Sequence, residues 1–522
     1  MGKYLLKRIL FSIFSLAVVT LVVMFLTYNL VDRSLIFNND GNLNKLGRNE
    51  QEVYKHNKYV KFGYETYENY TAFLDDVYKE RYGDDYASDA EIKAKFKEST
   101  NAIYDKDTYT TNADVAEFIS TYKSQGYRIE YYEPFYVLRK LKSKPYLLAV
   151  KERSVFERFG SYVKDLLKFE TIKDVPASED IGDRKMYWEW DKRSNMPALI
   201  GNGTTHKYLI YFDDKFPFVH QNLVHLKLGL SVSNGVDAFD YMNIGTGSSD
   251  FSMQEYPANL GTGILNETSY DFHTVTYSSV TSEHDEMIYG VGEHYINAVQ
   301  HNSGLTRIGN SFVIGIFSVI LCYIIGLPLG IWMARRKDKL VDKIGNFYII
   351  FVMAVPSLAY IFIVAAIGVK AGAPLKWDSS NPFMLSILMP VISLSLPSIG
   401  GLMKWMRRYM IDQSNADYVK FARSTGMTEG EIFREHISKN AFIYLVHNVP
   451  ADLLFALTGA LITERVYSVP GIGGMLTNAI VGYDNGIIVA GTVFYTFLSI
   501  LALILGDLLL AKYDPRVKLT DK

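Results

Sequence analysis

One cysteine, Cys322, stands in 522 residues, and it lies inside an apolar block. A lone thiol leaves a single chain without internal disulfides or cysteine-based zinc sites, so any domain outside a membrane must rest on its own core. Excess charge is missing too: 54 Lys and Arg face 56 Asp and Glu, a balance that gives no sign of a nucleic-acid partner. No Gly-x-x-x-x-Gly-Lys-Ser/Thr phosphate loop occurs anywhere, so nothing points to ATP hydrolysis by this chain. Internal repeats and low-complexity tracts are also lacking.

What is present is unevenly distributed. The first uncharged run, 9–31, follows Lys3, Lys7 and Arg8. It exceeds the roughly 7–15 residues of a secretory signal core, and no small-x-small cleavage site follows it. Its length suits a spanning helix of about 20 residues, read as an anchor with its N-terminus inside. Five more apolar blocks follow at about 308–334, 344–369, 382–403, 441–463 and 487–511, which makes six spans. Pro328, Pro356, Pro390, Pro397 and Pro450 lie within them, as is tolerated where neighbours satisfy the freed carbonyls.

The region 32–303 is polar and rich in tyrosine, but its recurring aromatic and β-branched residues mark it as folded. Ser88 and Glu91 suggest a capping box opening a helix. The stretch 112–125 reads as a helix closed by Gly126, and 127–132 alternates like a strand. The pattern over 136–167 is mostly helical, and 207–212 reads as a strand. An α+β domain is expected.

Basic residues set the topology. Arg335, Arg336, Lys337, Lys339 and Lys343 separate spans two and three. Lys404, Arg407, Arg408, Lys420, Arg423, Arg434 and Lys439 separate spans four and five, and Lys512, Arg516, Lys518 and Lys522 follow span six. The alternate loops, 370–381 and 464–486, carry few. The positive-inside rule then puts both termini and the two basic loops in the cytoplasm and 32–303 outside.

The loop 404–440 holds the most patterned polar stretch, 418–441, which reads as two short helices. Thr428 and Glu431 are spaced for a capping box, and Gly426 before them suits the left-handed end of a helix. Ala422-Arg423-Ser424-Thr425-Gly426, then His436-Ile437-Ser438-Lys439-Asn440-Ala441, resembles the ATPase-coupling motif of ATP-binding-cassette importer permeases of the peptide and nickel group. Lys420-Phe421 stands where the wider superfamily has Glu-Ala, and Tyr444 where a proline is usual.

The resemblance extends in fixed order along the chain. It takes in Tyr4-Leu5-Leu6-Lys7-Arg8, Leu228-Gly229-Leu230-Ser231 with 238–242, and 306–336. It continues through Val355-Pro356-Ser357, then Glu464 with Pro470-Gly471-Ile472-Gly473, which is similar to the family's external loop after span five. Asp507 and Asp514-Pro515-Arg516 resemble its C-terminal signature. Large outer insertions, about 38–215 and 243–303, resemble those of peptide permeases from Gram-positive bacteria.

This resemblance implies an α-helical polytopic membrane protein of the type I ABC importer permease fold, with six transmembrane helices and an α+β extracellular insertion between the first two. Its parts would be helix 1 (1–31), the extracellular domain (32–303), the permease core (304–511) and a cytoplasmic tail (512–522). It implies a non-enzymatic subunit of an oligopeptide importer in a bacterial plasma membrane. The implied partners are a second homologous permease, two cytoplasmic ATPases that bind ATP and Mg, an extracellular peptide-binding lipoprotein and the bilayer. Ala422, Arg423, Gly426, Glu431, His436 and Asn440 would carry ATPase coupling. The alternatives are nickel or another small solute as cargo, or a membrane-tethered receptor or enzyme. A secondary transporter is disfavoured by the lack of paired charges in the spans.

His447 and Asp452 are ionisable residues in span five, candidates for the pathway or for a polar contact within the bundle. Asp507 near the end of span six reads as structural. Glu283, His284, Asp285, Glu286, Glu293 and His294 match no metalloprotease spacing and read as a solvated loop, so no metal or cofactor is assigned. The sequons at Asn69, Asn202 and Asn266 carry no functional weight in a chain of bacterial character.

Overall fold

The computed structural model describes residues 2–38, 40–177, 182–191, 194–212, 218–246, 249–251, 273, 276–277, 300–302, 305–377, 383–446 and 448–513. The acidic and histidine-rich stretch 282–294 and the motif 514–516 lie outside these residues.

Between the helices Gly2–Phe25 and Arg307–Arg335 the chain builds a mixed α and β structure. An antiparallel sheet has Tyr146–Glu152 at its centre, flanked by Glu65–Asn69 and Arg128–Tyr132. Leu147, Leu148, Ala149 and Val150 of the central strand are buried. Tyr70, Leu74, Tyr78, Val115 and Phe118 from the adjacent helices join Leu147 and Ala149 in one core. This aromatic core does what disulfides do in smaller outer domains. A second antiparallel sheet runs in the order Val219–Gln221, Tyr208–Phe212, Met196–Gly201, Met186–Asp191.

Two sequence readings in this region are corrected. The stretch 136–167 holds more strand than helix: Phe135–Val137, Lys140–Ser143 and Tyr146–Glu152 precede the helix Val155–Asp165. A buried central strand is apolar on both faces and loses its two-residue alternation, so its run of four apolar residues mimics a helix. The helix proper starts at a capping box formed by Ser154 and Glu157. At the other site no such box forms, because Asp89 takes the N-cap position and accepts from the Glu91 and Ile92 amides. Asn112 caps Ala113–Ser124, and Gly126 follows with φ of +81°.

Among the described residues four helices are long and apolar enough to cross a membrane: 4–30, Arg307–Arg335, Ser386–Ser414 and Asn485–Tyr513. The remaining two blocks are bent pairs, so the described residues contain up to six spans if each pair counts as one. Leu340–Ala354 and Ser357–Lys370 meet at 109°. Val355 between them is extended (φ −80°, ψ 131°), as expected of a residue forced out of the helical region by the following Pro356. The second pair, ending in Val449–Tyr467, bends by 49° with Pro450 in its first turn. Pro328, Pro390 and Pro397 stay inside continuous helices.

The helices Arg307–Arg335 and Phe383–Ser414 pack closely. A Cβ added at Gly330 would sit 2.9 Å from Met406 Cβ and 3.1 Å from the Met403 carbonyl, so only a small residue permits this approach. The first and last helices are tied at one end by Asp507, which pairs with Arg8 at 2.9 Å and accepts from the Tyr4 hydroxyl at 3.1 Å.

Candidate functional site

The patterned stretch folds from its local signals. Asp417–Ser424 is a helix, and the chain reverses through Gly426 at φ +85°, a left-handed conformation that costs glycine little. Thr428 and Glu431 form the capping box that starts the second arm. Arg423 closes the corner with a bidentate pair to Glu429, Nε to Oε1 at 2.6 Å and Nη2 to Oε2 at 3.1 Å. The second arm is longer than the sequence suggests. It continues as a π-helical turn, Ile432–Ser438, into Lys439–Val446. The wide turn is closed by Ser438 Oγ donating to the Phe433 carbonyl five residues back, at 2.8 Å.

The element has two unlike faces. Val419, Ala422, Ile432, Ile437 and Ala441 are buried in a cluster with Met403, Met406 and Met410 of the Phe383–Ser414 helix. On the other side Phe421 is 70% exposed, with Lys420 paired to Asp417 at 2.8 Å beside it. Arg423 and Glu431 are exposed, whereas His436 and Asn440 are half-buried. The His436 ring lies 6.3 Å from that of Tyr418, across the two arms. Tyr444 stacks on Tyr409 at 5.1 Å, which in turn stacks on Trp405 at 5.7 Å. An aromatic ladder thus occupies the position where a proline was expected. Such an arrangement performs no bond chemistry; it fixes one face in the helix bundle and presents the other.

Glu464, Pro470, Gly471 and Gly473 come together in a second cluster. The Glu464 carboxylate is fully buried, accepting from Ser311 Oγ at 2.6 Å and from the Gly474 amide at 3.0 Å. Ser311 Oγ accepts in turn from the Ile472 amide at 2.9 Å, and Asn310 Nδ2 donates to the Pro470 carbonyl at 3.1 Å. A side chain at Gly471 would overlap the carboxylate, and a Cβ at Gly473 would lie 2.8 Å from Glu464 Oε2. The glycines are required by the acid they enclose.

Asp452 accepts from the Tyr323 hydroxyl at 2.6 Å, a contact between two packed helices. His447 lies outside the described residues. The two clusters and Asp452 are separate features rather than one site.

Several partners gave no sequence signal. Ser311, 153 residues from Glu464, is one. Buried Asp342 receives Arg407 bidentately at 2.5 and 2.7 Å, although Arg407 reads in sequence only as part of a basic loop. Asp484, fully buried, accepts from Ser231 Oγ at 2.6 Å and from the Val232 and Ser233 amides at 3.0 and 2.9 Å.

Residues 326–519 match the family described as binding-protein-dependent transport system inner membrane component. The chain is 30% identical over 537 aligned positions to the oligopeptide transport system permease protein AmiC of Streptococcus pneumoniae, covering 100% of this chain and 99% of that one. The dipeptide transport system permease protein DppB of Lactococcus lactis is 29% identical over 216 positions, 41% of this chain and 70% of that one. Among solved structures, the inward-facing MetNI methionine ABC transporter aligns with 15% identity and a TM-score of 0.32, over 39% of this chain and 93% of that one.

Proposed function

The chain belongs to the oligopeptide permeases of ATP-binding-cassette importers, and on that premise we propose how it works within such a system. It is a transporter component, not a catalytic enzyme. It forms half of a translocation pathway beside a second, related permease chain. Two cytoplasmic ATPases, which bind the ATP and Mg, supply the energy, and an extracellular lipoprotein delivers the peptide. The chain is a multi-pass protein of the bacterial plasma membrane. Both termini and the 404–440 loop face the cytoplasm, and 32–303 lies outside with its insertions at about 38–215 and 243–303.

One observation carries the coupling role: the element around Gly426 is clamped in the bundle on one face and exposes Phe421 on the other. An ATPase that seats on the exposed face and closes on ATP moves the buried face with it. That face is packed on Phe383–Ser414, itself packed on Arg307–Arg335, so the displacement reaches the bundle. The capping box at Thr428 and the Arg423–Glu429 pair keep the element rigid enough to transmit it. ATP-driven closure opens the pathway outward to the docked, loaded lipoprotein, and hydrolysis resets it. Peptides are held mainly by their backbone, so a permease of this kind needs no sharp side-chain selection.

The test is uptake of a labelled peptide by cells carrying Gly426 or His436 replacements. Uptake is expected to vanish while the chain remains inserted; undiminished uptake would sink the coupling role. Competition by nickel but not by unlabelled peptide would move the cargo to the small-solute alternative.

A further inference from the structure

Three ligand-type side chains from separate segments of the polar region converge outside every feature described above. Glu170 follows the strand Leu167–Phe169, and His225 lies in the strand Val224–Leu226 that pairs with it. His206 precedes the strand Tyr208–Phe212 of the neighbouring sheet. Glu170 Oε1 stands 2.8 Å from His206 Nδ1 and 2.9 Å from His225 Nε2. The three ligand atoms lie within 4.8 Å of one another. The imidazoles stack with centroids 4.8 Å apart and planes at 24°, so both present a nitrogen to the same oxygen.

We propose that Glu170, His206 and His225 bind a divalent first-row transition metal, zinc by the chemistry of the donors, with water completing the shell. Two imidazoles and one carboxylate form a recurrent zinc ligand set that leaves a fourth position open. Magnesium and calcium require oxygen ligands, and monovalent copper favours sulfur, so none of the three matches. Metal–ligand bonds of about 2.0–2.2 Å at tetrahedral angles separate ligand atoms by about 3.4 Å. The two histidine–carboxylate contacts therefore open by about half an ångström, and the two imidazole nitrogens, within 4.8 Å of each other, close by up to about 1.4 Å.

Two further observations favour a cation at this point. Glu170 is buried, and among the described residues its ion pairs are to these two histidines, which carry charge only when protonated. The Thr205 amide donates to the other carboxylate oxygen at 2.9 Å, orienting the ligand in the manner of an outer hydrogen bond around a metal. The histidine side chains remain 22% and 23% exposed, which leaves a route from solvent. Bound there, the metal pins strand Val224–Leu226 and the turn before Tyr208, the segment that leads into the helix bundle. This site does not depend on what the permease carries.

The experiment uses the full chain in detergent, purified on a tag without histidine, stripped with chelator and given Zn²⁺ alone. Expected are about one zinc retained per chain after desalting and a higher melting temperature. Co²⁺ in its place should give the visible bands of a low-symmetry site. Glu170→Gln, which keeps the shape and an acceptor for the histidines, and His225→Asn should weaken binding beyond the roughly 10–100-fold that loss of an outer hydrogen bond costs. Equal zinc in wild type and variants, marking adventitious metal, overturns the proposal. So does a wild-type chain that gains no stability from zinc at neutral pH while both variants fold.

Discussion

Asn485 Nδ2 donates to the Tyr64 hydroxyl at 2.5 Å, joining the polar region to the start of the last long helix. Tyr64 is 1% exposed, and the Arg158 guanidinium lies 5.3 Å over its ring and donates to its carbonyl at 2.8 Å. Next to Asn485, Asp484 holds the 231–233 segment by one hydroxyl and two amides. The region between the first two long helices is therefore bolted to the bundle through buried polar contacts. Tyr64→Phe removes one partner and leaves a buried amide hydrogen unmatched, at a cost of about 1–3 kcal/mol. Thermal unfolding of the detergent-purified chain should show that loss. Tyr64→Ala, which also opens a cavity, should cost about 3–5 kcal/mol. Equal melting of Tyr64→Phe and wild type would mean that the contact adds nothing.

The Glu464 cradle separates charge from shape. Gly471→Ala places a methyl group against the carboxylate, and overpacking of this kind typically costs about 1–3 kcal/mol. Glu464→Gln keeps the volume, and its carbonyl can still take the Gly474 amide. The expected order in yield of inserted protein is wild type, then Glu464→Gln, then Gly471→Ala. The reverse order of the two variants would show that the negative charge, not the enclosure, is what the loop is built around.

The corner at Gly426 was largely legible in sequence because its signals are local. A capping box lies within four residues, and a glycine after a helical run needs no knowledge of the fold to be placed. The π-turn around His436 was not legible, since it shifts one hydrogen bond without changing the apolar pattern. The bend at Val355-Pro356 was visible as a proline but not as a 109° corner, because Pro328, Pro390 and Pro397 are accommodated without breaking their helices. Contacts such as Ser311 with Glu464 or Tyr323 with Asp452 depend on which helices meet, and no spacing rule encodes that. The helical misreading of 136–167 has the same origin, because a strand buried on both faces shows no period.

Phe421 offers a sharper probe of docking than the buried residues of the same element. Its ring is exposed and packs on no core cluster, so Phe421→Ala should alter stability by no more than about 0.5 kcal/mol. An aromatic side chain inserted at the centre of an interface is worth about 2 kcal/mol or more, roughly a thirtyfold loss of affinity on removal. Pull-down of the ATPases by the inserted chain should therefore fall sharply with no change in melting temperature. Unchanged recovery would place the ATPase contact elsewhere on the chain.

The stability of the polar region should depend on pH through His56. This buried histidine contacts Glu65 through Nδ1, while Nε2 faces Tyr132 Oη at 3.2 Å and Glu130 Oε2 at 3.3 Å. Arg33 pairs with Glu65 at 3.0 Å from the other side. Burial pushes the imidazole pKa down, but bonding to Glu130 and Glu65 outweighs it and raises the value from 6.5 to about 9. Glu130 moves the opposite way, from 4.5 to about 2, held down by His56 against the effect of its own burial. A raised histidine pKa means that its stabilisation is complete below 6.5 and is lost as pH rises through about 9. The share from Glu130 is complete above 4.5 and is lost as pH falls through about 2. Melting temperatures of the purified chain should therefore peak between about 4.5 and 6.5 and decline towards 9. His56→Gln, which cannot titrate, should lower the peak and flatten the alkaline decline. An identical slope in both proteins between 6.5 and 9 would assign the decline to other groups.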